Sequence, residues 1–70
     1  MMRDISMNDV DGFIGKRVTY IYHYSNWQLP VPEPATVIGR TSKRVRIIHN
    51  DRLTGDVVRL VSPEHIKVQP

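Results

Sequence analysis

The chain of 70 residues contains no cysteine, which excludes a disulfide framework and any zinc site built on thiolates. No uninterrupted apolar run approaches the ~18 residues that a membrane-spanning helix needs. The first twelve residues, MMRDISMNDVDG, carry three aspartates and lack the apolar segment of a secretory signal. These absences favour one small cytoplasmic domain.

Recognisable catalytic patterns are also missing. The histidines His23, His49 and His65 have no metal-ligand spacing, and each lies on a different predicted element. Serine occurs without a G-x-S-x-G turn, no glycine-rich phosphate loop is present, and no paired carboxylates lie on the predicted strands. The sequence therefore predicts a protein that is not an enzyme and that uses no cofactor and no metal.

Short runs of β-branched and aromatic residues, separated by Gly, Pro, Asn and Asp, are the main pattern that is present. This pattern is typical of strands and turns, and it predicts an all-β domain. A flexible acidic leader is predicted at 1–12 and the folded domain at 13–70. The predicted strands are 16–24, 35–41, 44–50, 56–61 and 66–68, with a one-turn helix at 62–65 capped by Ser62.

The order and spacing of GKRV, ATVIGRT, KRVRI and VVRLVSPEHI resemble the SH3-like small barrels, which include KOW and Tudor modules. The resemblance covers about residues 14–68 and implies a closed five-stranded barrel with a one-turn helix before the last strand. Type II dihydrofolate reductases share this fold and associate as tetramers. Their Val-Gln-Ile-Tyr segment corresponds here to Val58-Arg59-Leu60-Val61, which lacks Gln and Tyr and so argues against that activity.

Alternation along the strands predicts which side chains face the core. The expected inward set is Val18, Val37, Val45, Ile47, Val58, Leu60, Ile66 and Val68. The expected outward set is Arg17, Thr36, Ile38, Arg40, Arg44, Arg46 and Arg59. The segment VVRLV is apolar at both parities, so its orientation stays ambiguous.

Basic residues are concentrated in the segment RTSKRVR at 40–46. A three-residue turn at 41–43 would place Arg40 opposite Arg44, with Lys43 at the tip and Arg46 farther along the same face. Like charges across a ladder are unfavourable, so the hairpin is either a solvated edge that blocks aggregation or an anion-binding surface. Nucleic acid is the leading partner, and an acidic protein is the alternative. The expected contacts are Arg17, Arg40, Lys43, Arg44, Arg46 and Arg59.

Aromatic residues near this surface offer a second feature. Tyr22, Tyr24 and Trp27 either cover one end of the domain or stack on bases, which would favour single strands. The proline-containing segment SNWQLPVPEP places Trp27, Leu29 and Val31 on a predicted loop. That loop either seals the barrel or forms a protein interface, and the second option makes a protein-interaction module or a small homodimer the alternative function.

Overall fold

A computed structural model of the chain describes residues 2–22, 30–51 and 53–69. The strands are β1 (Arg3–Asp4), β2 (Arg17–Tyr22), β3 (Val31–Arg40), β4 (Val45–Asp51), β5 (Gly55–Val61) and β6 (Ile66–Val68). One helical turn, α1 (Val10–Phe13), precedes β2, and a 3-10 turn (Pro63–His65) precedes β6. The prediction of an all-β domain is confirmed.

All six strands belong to one antiparallel sheet in the order β1-β6-β2-β3-β4-β5. The chain runs through β2 to β5 as a meander and then returns, so that β6 pairs with β2. Strands β1 and β5 are the two edges, and the sheet is not closed between them in the part of the chain that the structure describes. The sequence predicted five strands rather than six, because it assigned no strand to the leader.

The acidic leader packs against the sheet. Ile5 and Val10 are 3% and 0% exposed and belong to the hydrophobic core. Strand β1 pairs with β6, and the Ile5 N–H donates to the Ile66 carbonyl at 2.9 Å. The leader, predicted to be flexible, therefore contributes two core residues and an edge strand. The sequence did not predict this contribution because charged and polar residues surround each of the two apolar ones.

Strand β3 begins earlier than the sequence predicted and contains Pro32 and Pro34. The Val37 N–H donates to the Lys16 carbonyl on the β2 side at 3.1 Å. Because N–H directions alternate along a strand, positions 32 and 34 face the opposite side, toward β4, and as prolines they have no N–H to donate there. There the pairing with β4 begins only at Ala35. The missing N–H groups therefore lie on the side where the ladder with β4 ends, and the pairing with β2 continues through both prolines.

The core lies on one face of the sheet, here called the inner face. Most of the predicted inward residues are buried, but β5 has the opposite orientation to the prediction. Val58 and Leu60 are 57% and 42% exposed, and Val61 is buried. Arg59 pairs across the ladder with the fully buried Ile47, so it lies on the inner face. Apolar residues occupy both odd and even positions of β5, so either face of the strand could be directed to the core. The register with β4 selects the observed orientation.

The predicted helical turn before the last strand is present as the 3-10 turn. The His65 N–H donates to the Ser62 carbonyl at 3.0 Å. The Ser62 side chain makes no capping hydrogen bond, so the predicted capping role of its hydroxyl is wrong.

Candidate functional site

The turn between β3 and β4 is organised by Thr41. Its N–H donates to the Arg44 carbonyl at 2.9 Å, and its hydroxyl accepts from the backbone N–H groups of Lys43 and Arg44 at 3.4 and 3.1 Å. Lys43 and Arg44 are exposed. Local hydrogen bonds of a threonine side chain thus hold the tip in one conformation and present both cations to solvent.

A bulge in β3 changes the expected geometry of this hairpin. The register runs from Val37 opposite Ile47 directly to Gly39 opposite Arg46, so Ile38 is the extra residue. Arg40 consequently lies opposite Val45, and the prediction that it lies opposite Arg44 is wrong. One inserted residue places the side chains that follow it on the opposite face of the sheet from the one that simple alternation predicts.

Arg40 is directed toward the leader as a result. Its Nη1 donates to the Met7 carbonyl at 2.8 Å, and its Nε lies 3.4 Å from Asp11 Oδ1. Arg46 is two positions from Ile48, on the opposite, outer face of β4. The structure therefore separates Arg40 from Arg46 instead of gathering them on one wall.

Arg59 also lies apart from the hairpin cations. Its Nε donates to His49 Nε2 at 2.8 Å, and its guanidinium carbon lies 5.2 Å from the centre of the Tyr22 ring. Arg59 is half-buried on the inner face. These contacts assign it an intramolecular role, since a cation over an aromatic ring is stabilised by the ring's electron density.

His49 is the centre of a buried polar cluster that the sequence analysis did not identify. The residue is 4% exposed, and its ring lies 5.3 Å from Tyr20 and 6.1 Å from Tyr22. Because arginine only donates, Nε2 accepts and the neutral ring carries its proton on Nδ1. Nδ1 lies 3.4 Å from Glu33 Oε2, without the alignment of a hydrogen bond.

A signal for this cluster was present in the sequence. His49 follows Val45 and Ile47 at alternate positions, and both are fully buried. Period-two alternation therefore places its ring on the inner face of β4. His49, for which the sequence showed no metal-ligand spacing, is a core histidine between a guanidinium and a carboxylate.

Tyr20 closes the cluster and is 7% exposed. Its ring meets that of Tyr22 edge to face, with centres 5.8 Å apart. Burial raises the pKa of the Tyr20 hydroxyl above its usual value, and the Arg59 charge opposes this effect on the pKa. The ring is thus a neutral packing group rather than a solvent-facing platform.

Five exposed cations form no ion pair with a carboxylate in residues 2–22, 30–51 and 53–69. The other Lys and Arg side chains described are engaged: Arg3 with Asp9, Arg40 with Asp11, Lys67 with Asp4, and Arg59 with His49. The five without an ion pair, here called the open cations, are Lys16, Arg17, Lys43, Arg44 and Arg46.

Arg17 and Arg46 share the outer face. Arg17 pairs with Thr36, and Thr36 pairs with Ile48, so these residues form one cross-strand row. Arg46 is two residues from that row on the same face of β4. Two strand spacings of ~4.8 Å and two rises of ~3.3 Å place the Arg17 and Arg46 Cα atoms roughly 12 Å apart. Gly39, opposite Arg46, leaves the space beside that side chain open.

The predicted aromatic contacts do not accompany these cations. Tyr22 is half-buried against the inner core, on the face opposite Arg46. Tyr24, Trp27 and Leu29 lie outside the described residues, so their predicted roles stay predictions. Val31 is 36% exposed at the start of β3, opposite Tyr22.

No helix in the described part of the chain is long and apolar enough to cross a membrane. Within the same residues, no group of three or more His, Asp or Glu side chains is arranged to hold a metal ion. No protein-family model matches the chain, and no curated protein and no solved structure shows a significant match to it.

Proposed function

We propose that the chain is a non-enzymatic binding module for nucleic acid and that the open cations contact the phosphate backbone. The observation that carries this proposal is the segregation of charge. The leader's carboxylates pair with Arg3, Arg40 and Lys67, whereas the open cations face solvent without a carboxylate partner in the described residues.

Nucleic acid fits these groups better than a small anion does. The open cations extend from the Lys43–Arg44 tip across the outer face to Arg17. A polyanion is long enough to contact all of these side chains at once, whereas a small anion is not. Arginine offers a planar fork of donors that matches phosphate oxygens. Each neutralised phosphate also releases a counterion, which favours binding at low salt.

Backbone contacts rather than base stacking carry this proposal. The rings of Tyr20 and Tyr22 are on the inner face, away from the open cations. Binding by phosphate contacts alone carries little sequence information. We therefore expect weak discrimination between sequences and a strong dependence on salt. Arg40 and Arg59, included in the site predicted from sequence, position the leader and the inner cluster instead.

We also propose that the domain is related to the SH3-like small barrels. The meander from β2 to β5, the 3-10 turn and the return of β6 beside β2 support this relationship. The barrel in this proposal is an open variant, with β1 as an added edge strand.

The test uses the tip residues, which lie outside the core. The variant K43A/R44A removes two open cations, and R3A/K67A removes two cations that are paired with the leader. We expect K43A/R44A to elute from an oligonucleotide column at clearly lower salt. The slope of log affinity against log salt should fall by about one unit for each phosphate that the variant no longer neutralises.

The control separates a specific surface from net charge. Both double variants lower the net charge equally, so R3A/K67A should retain most of the affinity if the open cations form the site. Equal weakening of both variants would show that only total charge matters. Absence of oligonucleotide binding at low salt would contradict the proposal and favour an acidic protein partner.

A further inference from the structure

Strand β5 leaves one side of its backbone unpaired in the described residues, since it pairs only with β4. The direction of its backbone groups follows from the neighbouring strands. The Val37 N–H points toward β2, so Thr36 hydrogen-bonds with β4, where it pairs with Ile48. The next residues of β4, Ile47 and His49, then hydrogen-bond with β5.

The partners of Ile47 and His49 on β5 are Arg59 and Val57. These two residues direct their backbone groups to β4, and the alternate residues direct theirs away from it. The free edge therefore presents the N–H and C=O groups of Asp56, Val58 and Leu60.

The side chains along this edge are apolar on the outer face. Val58 is 57% exposed and Leu60 is 42% exposed, and Leu53 in the preceding turn is 94% exposed. The seven residues of β5 contain no proline and no lysine. Natural edge strands are usually short, charged, bulged or covered, because a long apolar edge is a template for pairing with another strand.

We infer that β5 pairs antiparallel with β5 of a second copy of the chain, around a two-fold axis at Val58. In this register Val58 lies opposite Val58 of the second copy, and Asp56 lies opposite its Leu60. Each of these pairs exchanges two backbone hydrogen bonds. Shifting the register by two residues leaves groups at the edge unpaired, so this register is the one that the edge itself fits best.

Charge complementarity favours the same register. Arg46 lies beside Leu60 on the outer face of β4 and β5. Asp56 of the second copy lies on the far side of Leu60 in the same cross-strand row. Two strand spacings of ~4.8 Å separate the Arg46 and Asp56 Cα atoms, a span that an arginine and an aspartate side chain bridge together. The two-fold axis produces this ion pair twice.

The turn after β4 gains a neighbour as well. Gly55 lies opposite Val61 of the second copy, so the β4–β5 turn with Leu53 lies beside the 3-10 turn of that copy. This places the most exposed apolar side chain described against protein. The dimer leaves Arg17, Lys43 and Arg44 free for the proposed phosphate contacts and does not depend on that proposal.

The oligomeric state tests this inference. We expect sedimentation experiments from micromolar to millimolar concentration to show a reversible monomer–dimer equilibrium. V58K places two like charges opposite each other at the axis, and it should raise the dimer dissociation constant by about a hundredfold or more. I38K is the matched control, since Ile38 is 41% exposed on β3, away from the edge.

A charge exchange tests the register independently of Val58. R46D and D56R should each weaken the dimer, and the double variant R46D/D56R should restore much of the loss, because the ion pair reforms with reversed charges. Circular dichroism confirms that each variant is folded. A chain that stays monomeric at millimolar concentration overturns the inference, as does a dimer that V58K weakens no more than I38K does.

The result is separable from the proposed function. K43A/R44A should leave the dimer dissociation constant unchanged while it weakens oligonucleotide binding. V58K should raise the dimer dissociation constant and should not weaken oligonucleotide binding. Its added lysine should instead increase the electrostatic attraction to the oligonucleotide.

Discussion

The two edges of the sheet differ in length, in charge and in what lies beside them. Strand β1 has two residues, both charged, and its side chains pair with Asp9 and Lys67. Strand β5 has seven residues, and it exposes Val58 and Leu60. A short charged edge resists pairing with another strand, whereas a long apolar one invites it. The asymmetry leaves β5, and not β1, as the edge suited to pairing with another strand.

The largest expected effect comes from the leader behind the β1 edge. Ile5 is 3% exposed in the core, so I5A should lower the free energy of unfolding by about 2–4 kcal/mol through reduced burial and a cavity. L60A at the other edge should change it by less than about 0.5 kcal/mol in the monomer. Urea denaturation at low protein concentration measures both, and equal losses would remove the distinction between the edges.

A smaller effect is expected where β5 is attached to the inner face. R59M removes the hydrogen bond to His49 and the contact with the Tyr22 ring, and it should cost about 1–2 kcal/mol of unfolding free energy. R46M, on the outer face of β4, is the matched control with an expected change within about 0.5 kcal/mol. A larger loss for R46M than for R59M would contradict the assignment of the two faces.

The smallest effect concerns the turn that leads into β5. The N–H groups of Leu53 and Thr54 donate to Asp51 Oδ1 at 2.8 and 3.3 Å and lower the pKa of this carboxyl below its ordinary value. The carboxylate therefore stabilises the fold above its unfolded pKa of about 3.9. That stabilisation is lost as the pH falls through the lower folded pKa.

Thermal unfolding of the wild type and D51N between mildly acidic and strongly acidic pH checks this sign. The wild type should lose more stability than D51N over this range. A parallel decline of the two proteins would show that the turn does not depend on the charge of Asp51.

Much of the sheet was predictable because the relevant patterns are local. Alternation located β2, β4 and β6, and the residues Ser62-Pro63-Glu64 located the 3-10 turn. The orientation of β5 was not predictable from Val57 to Val61 alone, since both parities are apolar. Pairing with Ile47 and His49 decides it, and such pairing is a tertiary interaction.

The candidate site was predictable only in part. The cations at the hairpin tip were identified from composition, and the turn at Thr41 presents Lys43 and Arg44 as expected. The bulge at Ile38 has no distinct sequence signal, so the facing of Arg40 could not be predicted. The His49 cluster depends on side chains from four strands, and no single segment reveals it.

The extra residue in β3 has a consequence for variation in this chain. Removing Ile38 would join Val37 to Gly39, which already lie opposite the consecutive residues Ile47 and Arg46, so the ladder would become regular and Arg40 would stay opposite Val45. A single-codon deletion at this position should therefore preserve the contacts of Arg40 with Met7 and Asp11 that anchor the amino-terminal segment. Position 38 is thus the place in this strand where the loss of one residue leaves the positions of its neighbours unchanged.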